Sequence, residues 1–167
     1  PFGKTTPTWQ CVPDATSDAD GGWNADFTAN NTDRLLFTVF FRKSGGLVTD
    51  GTSYIGCHGS STLNLDGTAN TNPYFWAADP PALDVWYLMV GLLHPNSYSG
   101  ATMNISGIYD MQGKQVLAGT EFKWKAGTTV QRHRCYLFYC TARRRTVGIY
   151  SKTFGVFATF AGITFAA

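Results

Sequence analysis

From Leu83 to His94 the chain reads Leu-Asp-Val-Trp-Tyr-Leu-Met-Val-Gly-Leu-Leu-His, with no fixed charge after Asp84. In an extended chain Trp86, Leu88, Val90 and Leu92 fall on one side of the pleat, and Tyr87, Met89 and Leu93 on the other. A strand that is apolar on both faces belongs inside packed sheets, not at an edge. Pro80 and Pro81, in the acidic turn before it, cannot donate to a ladder, so the pattern predicts a strand starting at about Val85. Arg34 to Lys43 alternates more strictly, with Leu35, Phe37, Val39 and Phe41 on one face and Leu36, Thr38, Phe40 and Arg42 on the other. The Lys43-Ser44-Gly45-Gly46 run ends it.

Shorter strands are predicted over Trp9–Val12, Ser53–His58 and Ile105–Asp110. Gln115–Leu117 is the return of the third across a Met111-Gln112-Gly113-Lys114 turn. Thr120–Lys125 alternates with Phe122 and Trp124 opposite Glu121, Lys123 and Lys125, the pattern of a half-exposed strand. Gln131–Thr141 begins polar and finishes as a buried strand. Residues 1–33 read as turn-rich, 14–24 as the most loop-like stretch, and His94–Gly100 as a loop. Strands at this spacing, with no helical period between them, predict one all-β domain over residues 1–167, an antiparallel two-sheet β-sandwich.

Composition agrees. At 167 residues, 44% of them hydrophobic and 15% aromatic, the chain can fill one core. Glu121 is the single Glu among 11 acidic residues and Gly numbers 18, a balance that favours turns over helices. A net charge of +2 gives no overall pull toward nucleic acid or membrane. The clusters Arg132–Arg134 and Arg143–Arg145 flank one predicted strand on the order of 25 Å apart, too far for a single phosphate stripe. No apolar run is long enough for a membrane helix, and a start at Pro1 suggests a processed or excised chain. The uncharged segment 153–167 must be buried, in its own sheet or against another copy, which makes a homo-oligomer, such as a trimer, an expectation. Cys135 and Cys140, five apart, point to opposite faces of a regular strand and should not pair. Cys11 and Cys57 are read either as a bridge or as buried thiols.

Two stretches carry candidate chemistry. In Asp14–Asn24, Asp18 and Asp20 beside paired glycines are hard oxygen donors of the type calcium takes, with Asx-turns around a tight bend as the alternative. No other cofactor is suggested. In the polar excursion 59–76, Asn70 and Asn72 precede Tyr74, Phe75 and Trp76, a mixture suited to sugar: flat rings for the C–H face, amides and carboxylates for hydroxyls. Trp23, Tyr74, Trp76 and Trp124 are the candidate stacking platforms, with Tyr98 a further one, and Asn70, Asn72 and Asp79 the candidate polar partners. The alternative for the aromatics is ordinary packing, since successive residues alternate across a strand.

The order Asp20-Gly21-Gly22-Trp23, then Leu36–Lys43, then Trp86–Gly91 resembles jelly-roll carbohydrate-binding modules. With Asn70–Trp76, Gly107–Asp110 and Gln131–Arg134 added, residues 9 to 145 are similar to domains of bacteriophage tail fibres and related virion surface proteins. The resemblance implies a non-catalytic protein at the virion surface, in contact with other virion subunits and recognising a host surface glycan. Alternatives are a virion decoration or assembly protein without glycan binding, and the binding module of a secreted bacterial enzyme. The stretch from Phe122 to Gln131 resembles one strand of jelly-roll polysaccharide lyases, casting Arg132, His133 and Tyr136 as the reacting groups. The other two motifs of that family are absent, as are a nucleophile elbow, a Walker loop and a zinc-spaced Cys/His set, and no enzymatic activity is expected.

Overall fold

The segment around Val90 is the middle of the molecule, and its neighbours show why. The computed structural model describes residues 9–11, 19–44, 48, 52–127, 130–141, 146–150, 154–156 and 163–165, with side chains over 29–44, 48 and 52–127. Its strands are β1 (Trp9–Cys11), β2 (Ala19–Asn30), β3 (Leu35–Ser44), β4 (Ser53–Cys57), β5 (Thr62–Asn64), β6 (Tyr74–Ala78) and β7 (Tyr87–His94). They continue as β8 (Gly107–Tyr109), β9 (Gln115–Ala118), β10 (Phe122–Trp124), β11 (Val130–Thr141), β12 (Thr146–Tyr150), β13 (Phe154–Val156) and β14 (Ile163–Phe165). The described residues contain no helix, and therefore none long and apolar enough to cross a membrane.

One sheet runs β1-β12-β3-β7-β10-β5, with the β8–β9 hairpin also on β7; a second runs β2-β11-β4-β6; β13 and β14 pair with each other. In β3 burial alternates without a break, so Leu35, Phe37, Val39 and Phe41 face inward as the sequence pattern requires. They meet the second sheet directly: the Phe37 and Phe75 rings stack at 5.4 Å, and Phe41 lies 5.8 Å from Trp76. Ile55 and Cys57 from β4 and Met89 and Leu93 from β7 complete a core shared by both sheets.

Lys43 continues the inward parity of β3 and is fully buried. Its Nζ donates to the Val48 carbonyl at 2.6 Å and to Asp79 Oδ1 at 3.1 Å, so the charge is neutralised at the end of the core. A buried ammonium needs such partners.

Four expectations are corrected. The central strand begins at Tyr87, not at about Val85; Trp86 lies outside the ladder, with the Arg42 guanidinium 5.5 Å from its ring centroid. The turn-rich reading fails from residue 19 to residue 30, where β2 is a twelve-residue strand. Its ladder with β11 overrides the weak strand propensity of Asp, Asn and Gly, and irregularities in the register fall at Gly22, opposite Tyr139. Asp20 therefore sits on a strand rather than in a loop, and Asp18 lies outside the described residues.

The sheets are also not wholly antiparallel, because β10 runs parallel to β7, Phe122 beside Leu93 and Lys123 beside His94. The reason is topological. β8 is antiparallel to β7 but covers only Leu88 to Val90, and β9 reverses again, so the chain then runs in the β7 direction. β10 continues that way into the edge left open beyond Val90.

The fourth correction concerns Glu121, expected to be half-exposed and found 2% exposed. The loop after β7 folds over that face, held by Asn96, whose N–H donates to the Asn31 carbonyl and whose side-chain amide donates to the Trp124 carbonyl. The tail forms the β13–β14 pair; its side chains, and residues 143–145, lie outside the described set.

Candidate functional site

The site is built by the turn-rich excursion between β4 and β6. Asp66 Oδ1 accepts from the Thr68 N–H at 2.8 Å and the Thr68 hydroxyl at 2.7 Å. The Thr68 hydroxyl bond, with the N–H beside it, holds the Asp66 carboxyl below its ordinary value. Asn64 Nδ2 donates to Thr68 Oγ1, closing an Asx-type turn of the kind this composition favours. The Asn70 amide then works on both sides: its Nδ2 donates to Asn64 Oδ1 at 3.0 Å, while its Oδ1 accepts from the Asn72 N–H at 2.9 Å. That leaves it one N–H and one lone pair for a ligand. The chain returns to the sheet through Cys57 N–H, which donates to the Pro73 carbonyl.

These turns leave a cavity of about 490 Å³ beside the end of β4. Tyr54 and Tyr74 form its aromatic wall, ring centroids 4.4 Å apart and tilted by 33°. Gly56 permits this, since a Cβ there would lie 2.8 Å from the Tyr74 ring. Asn70, Thr71 and Asn72 add amide and hydroxyl groups to the lining, and Cys57, His58 and Ser60 also line it. Ser60 donates to His58 Nδ1 through its hydroxyl at 2.6 Å and through its N–H at 3.3 Å. With Nδ1 accepting, the neutral ring carries its proton on Nε2, as a donor. Among the described residues, those lining the cavity include no Asp, Glu, Lys or Arg.

Three of the residues expected from sequence thus come together: Asn70, Asn72 and Tyr74. Others do not join them. Trp76 is 4% exposed and Trp124 fully buried, with its Nε1–H donating to the Asp33 carbonyl at 2.8 Å, so neither ring offers a face for stacking. The expectation that Tyr74, Phe75 and Trp76 alternate across the strand is corrected by an irregularity in the β4–β6 register. Ile55 pairs with Trp76 but Gly56 pairs with Tyr74, and the bulged Phe75 turns inward beside Trp76. Asp79 is engaged by Lys43 and lies outside the cavity lining. Tyr98 stacks on His94 at 3.8 Å instead. Trp23 is on β2 opposite Leu137, and its side chain lies outside the described residues.

Sequence reading missed Tyr54, His58 and Ser60. Tyr54 had a usable signal: it is the aromatic residue on the face of β4 opposite Ser53, Ile55 and Cys57, which are buried. His58 and Ser60 had none, since a turn chooses its own pairings.

No group of three or more His, Cys, Asp or Glu side chains that could hold a metal occurs among the described residues. No protein-family model, curated protein or solved structure matches this chain.

Proposed function

We propose that the cavity walled by Tyr54 and Tyr74 binds a neutral carbohydrate, and that the chain is a non-catalytic, jelly-roll-type β-sandwich displayed on a virion surface to recognise a host glycan. One observation carries the reading: two paired tyrosine rings and the amides and hydroxyls of Asn70, Thr71, Asn72 and Ser60 line the same cavity of about 490 Å³. Rings take the C–H face of a pyranose, amides and hydroxyls take its hydroxyls, and the volume suits one or two sugar units. The described lining residues offer no fixed cation to a carboxylate, which favours neutral sugars over uronates and sialic acids. The virion setting and the contacts with other virion subunits rest on the sequence resemblance. Display in several copies would raise weak single-site affinity to useful avidity.

The test is a glycan array probed with wild type and Tyr74→Ala, with thermal melting as the folding control. Binding to neutral glycans that Tyr74→Ala abolishes while keeping a cooperative melt supports the proposal. Wild type that ignores neutral glycans, or Tyr74→Ala that binds them unchanged, overturns it.

A further inference from the structure

The cysteines of this chain have a more specific arrangement than their spacing shows. β11 pairs with β4 in a register that sets Cys135 directly opposite Cys57, with Tyr136 opposite Gly56 and Leu137 opposite Ile55. Directly opposed residues of an antiparallel pair lie on the same face of the sheet. On β4 that face is the inward one, where Ser53 and Ile55 are fully buried and Cys57 is 3% exposed.

Antiparallel ladders contain two kinds of opposed pair, and the backbone decides which this is. The N–H of Cys57 donates to Pro73, on the β6 side of β4. The N–H and C=O of one strand residue point the same way, so those of Cys57 point away from β11. The 57/135 pair is therefore of the non-hydrogen-bonded kind, in which the Cα atoms stand about 4.5 Å apart and the side chains come closest. That separation lies within the range a disulfide spans.

We propose that Cys57 and Cys135 form a cross-strand disulfide when the chain folds in an oxidising compartment. With oxidised glutathione as the oxidant, the thiolate of one cysteine attacks the glutathione disulfide and expels a glutathione thiolate. The second cysteine's thiolate then attacks the mixed disulfide and expels the other. One Sγ–Sγ bond replaces one glutathione disulfide, and the two protein thiol protons end on two reduced glutathiones. Because Cys57 is buried once β4 is covered, the exchange belongs to folding rather than to the finished protein. The bond closes the chain between residues 57 and 135 and fastens β11 to the strand that carries Tyr54 and runs into His58.

The reduced full chain is refolded in a glutathione redox buffer, its remaining thiols are alkylated, and a chymotryptic digest is mapped by mass spectrometry without reduction. Cleavage at Tyr136, Phe138 and Tyr139 separates Cys135 from Cys140. The expected result is a linked pair of peptides carrying Cys57 and Cys135. In Cys57→Ser the Cys135 thiol should be alkylated instead, and oxidised wild type should melt about 10 °C above the reduced protein. Alkylation of both Cys57 and Cys135 in the refolded wild type, or a link from Cys57 to Cys11 or Cys140, overturns the proposal whether or not the variant folds.

Discussion

His94, at the end of β7, and Glu121, just before the parallel strand β10, form a buried pair, Nε2 to Oε2 at 2.8 Å. Both side chains are fully withdrawn from solvent. Since a carboxylate only accepts, Nε2 carries the shared proton. The same carboxylate takes the N–H of Met103 at 2.8 Å and of Ile105 at 2.7 Å, so it organises the loop that crosses over it. The single Glu of the chain is a structural anchor beneath the β7–β8 connection.

Glu121→Ala should strip three donors of their acceptor at once. Breaking one side of a buried, hydrogen-bonded pair costs about 3–5 kcal/mol, and Glu121→Gln, which keeps one acceptor oxygen, should cost less. Urea unfolding followed by tryptophan fluorescence measures both, and equal stability of Glu121→Ala and wild type would refute the anchor role.

The pH dependence follows from the same carboxyl. Burial pushes it up, but the Met103 and Ile105 N–H groups and the His94 ring outweigh burial and hold it below the ordinary carboxylate range. A carboxyl with a lowered folded value contributes stability that is complete above its unfolded value. That stability is lost as pH falls through the folded one. The urea midpoint of wild type should therefore drop as pH falls through and below the ordinary carboxylate range, and Glu121→Gln should show a shallower acid limb. Parallel limbs in the two proteins would count against this assignment.

Trp76→Ala should behave as a core deletion and not as a binding mutation. The ring packs against Phe41 at 5.8 Å and is 4% exposed, so its removal should cost about 3–5 kcal/mol. Differential scanning calorimetry would detect the loss, and a melting temperature matching wild type would place the ring outside the core.

Gly91 lies under the Phe75 ring, and a Cβ there would overlap its Cγ and Cδ2 atoms. Gly91→Ala should therefore force the two sheets apart or drive Phe75 off its rotamer, costing about 1–3 kcal/mol. A paired Phe75→Leu substitution should recover part of that loss, measured as a double-mutant cycle in urea. Additive effects would show that the two positions do not share the space.

Period-two patterning made several elements legible. Leu35, Phe37, Val39 and Phe41 face the core as their alternation requires, and the Met111–Lys114 turn falls where its glycine placed it, with Asp110 Oδ1 accepting from the Gln112 and Lys114 N–H groups. At the candidate site Asn70, Asn72 and Tyr74 were legible because a dense run of amides before an aromatic is itself unusual. The outward position of Tyr54 on β4 was legible too, but its meeting with Tyr74 was not, since that depends on which strand neighbours β6. Trp124 misled because a ring on an alternating strand looks the same from sequence whether its face meets solvent or the core.

The sequence by itself determined the all-β character and the inward faces of the main strands, because side-chain alternation and turn chemistry are local properties of the backbone. Only the tertiary structure decided that β10 lies parallel to β7, that a bulge at Phe75 sends two successive aromatics inward, that Glu121 is buried under a loop, and that the β4–β11 register sets Cys57 opposite Cys135. Each of these depends on which strands become neighbours and in what register. That choice is settled by burying the whole apolar surface at once, an energy summed over residues far apart in the chain.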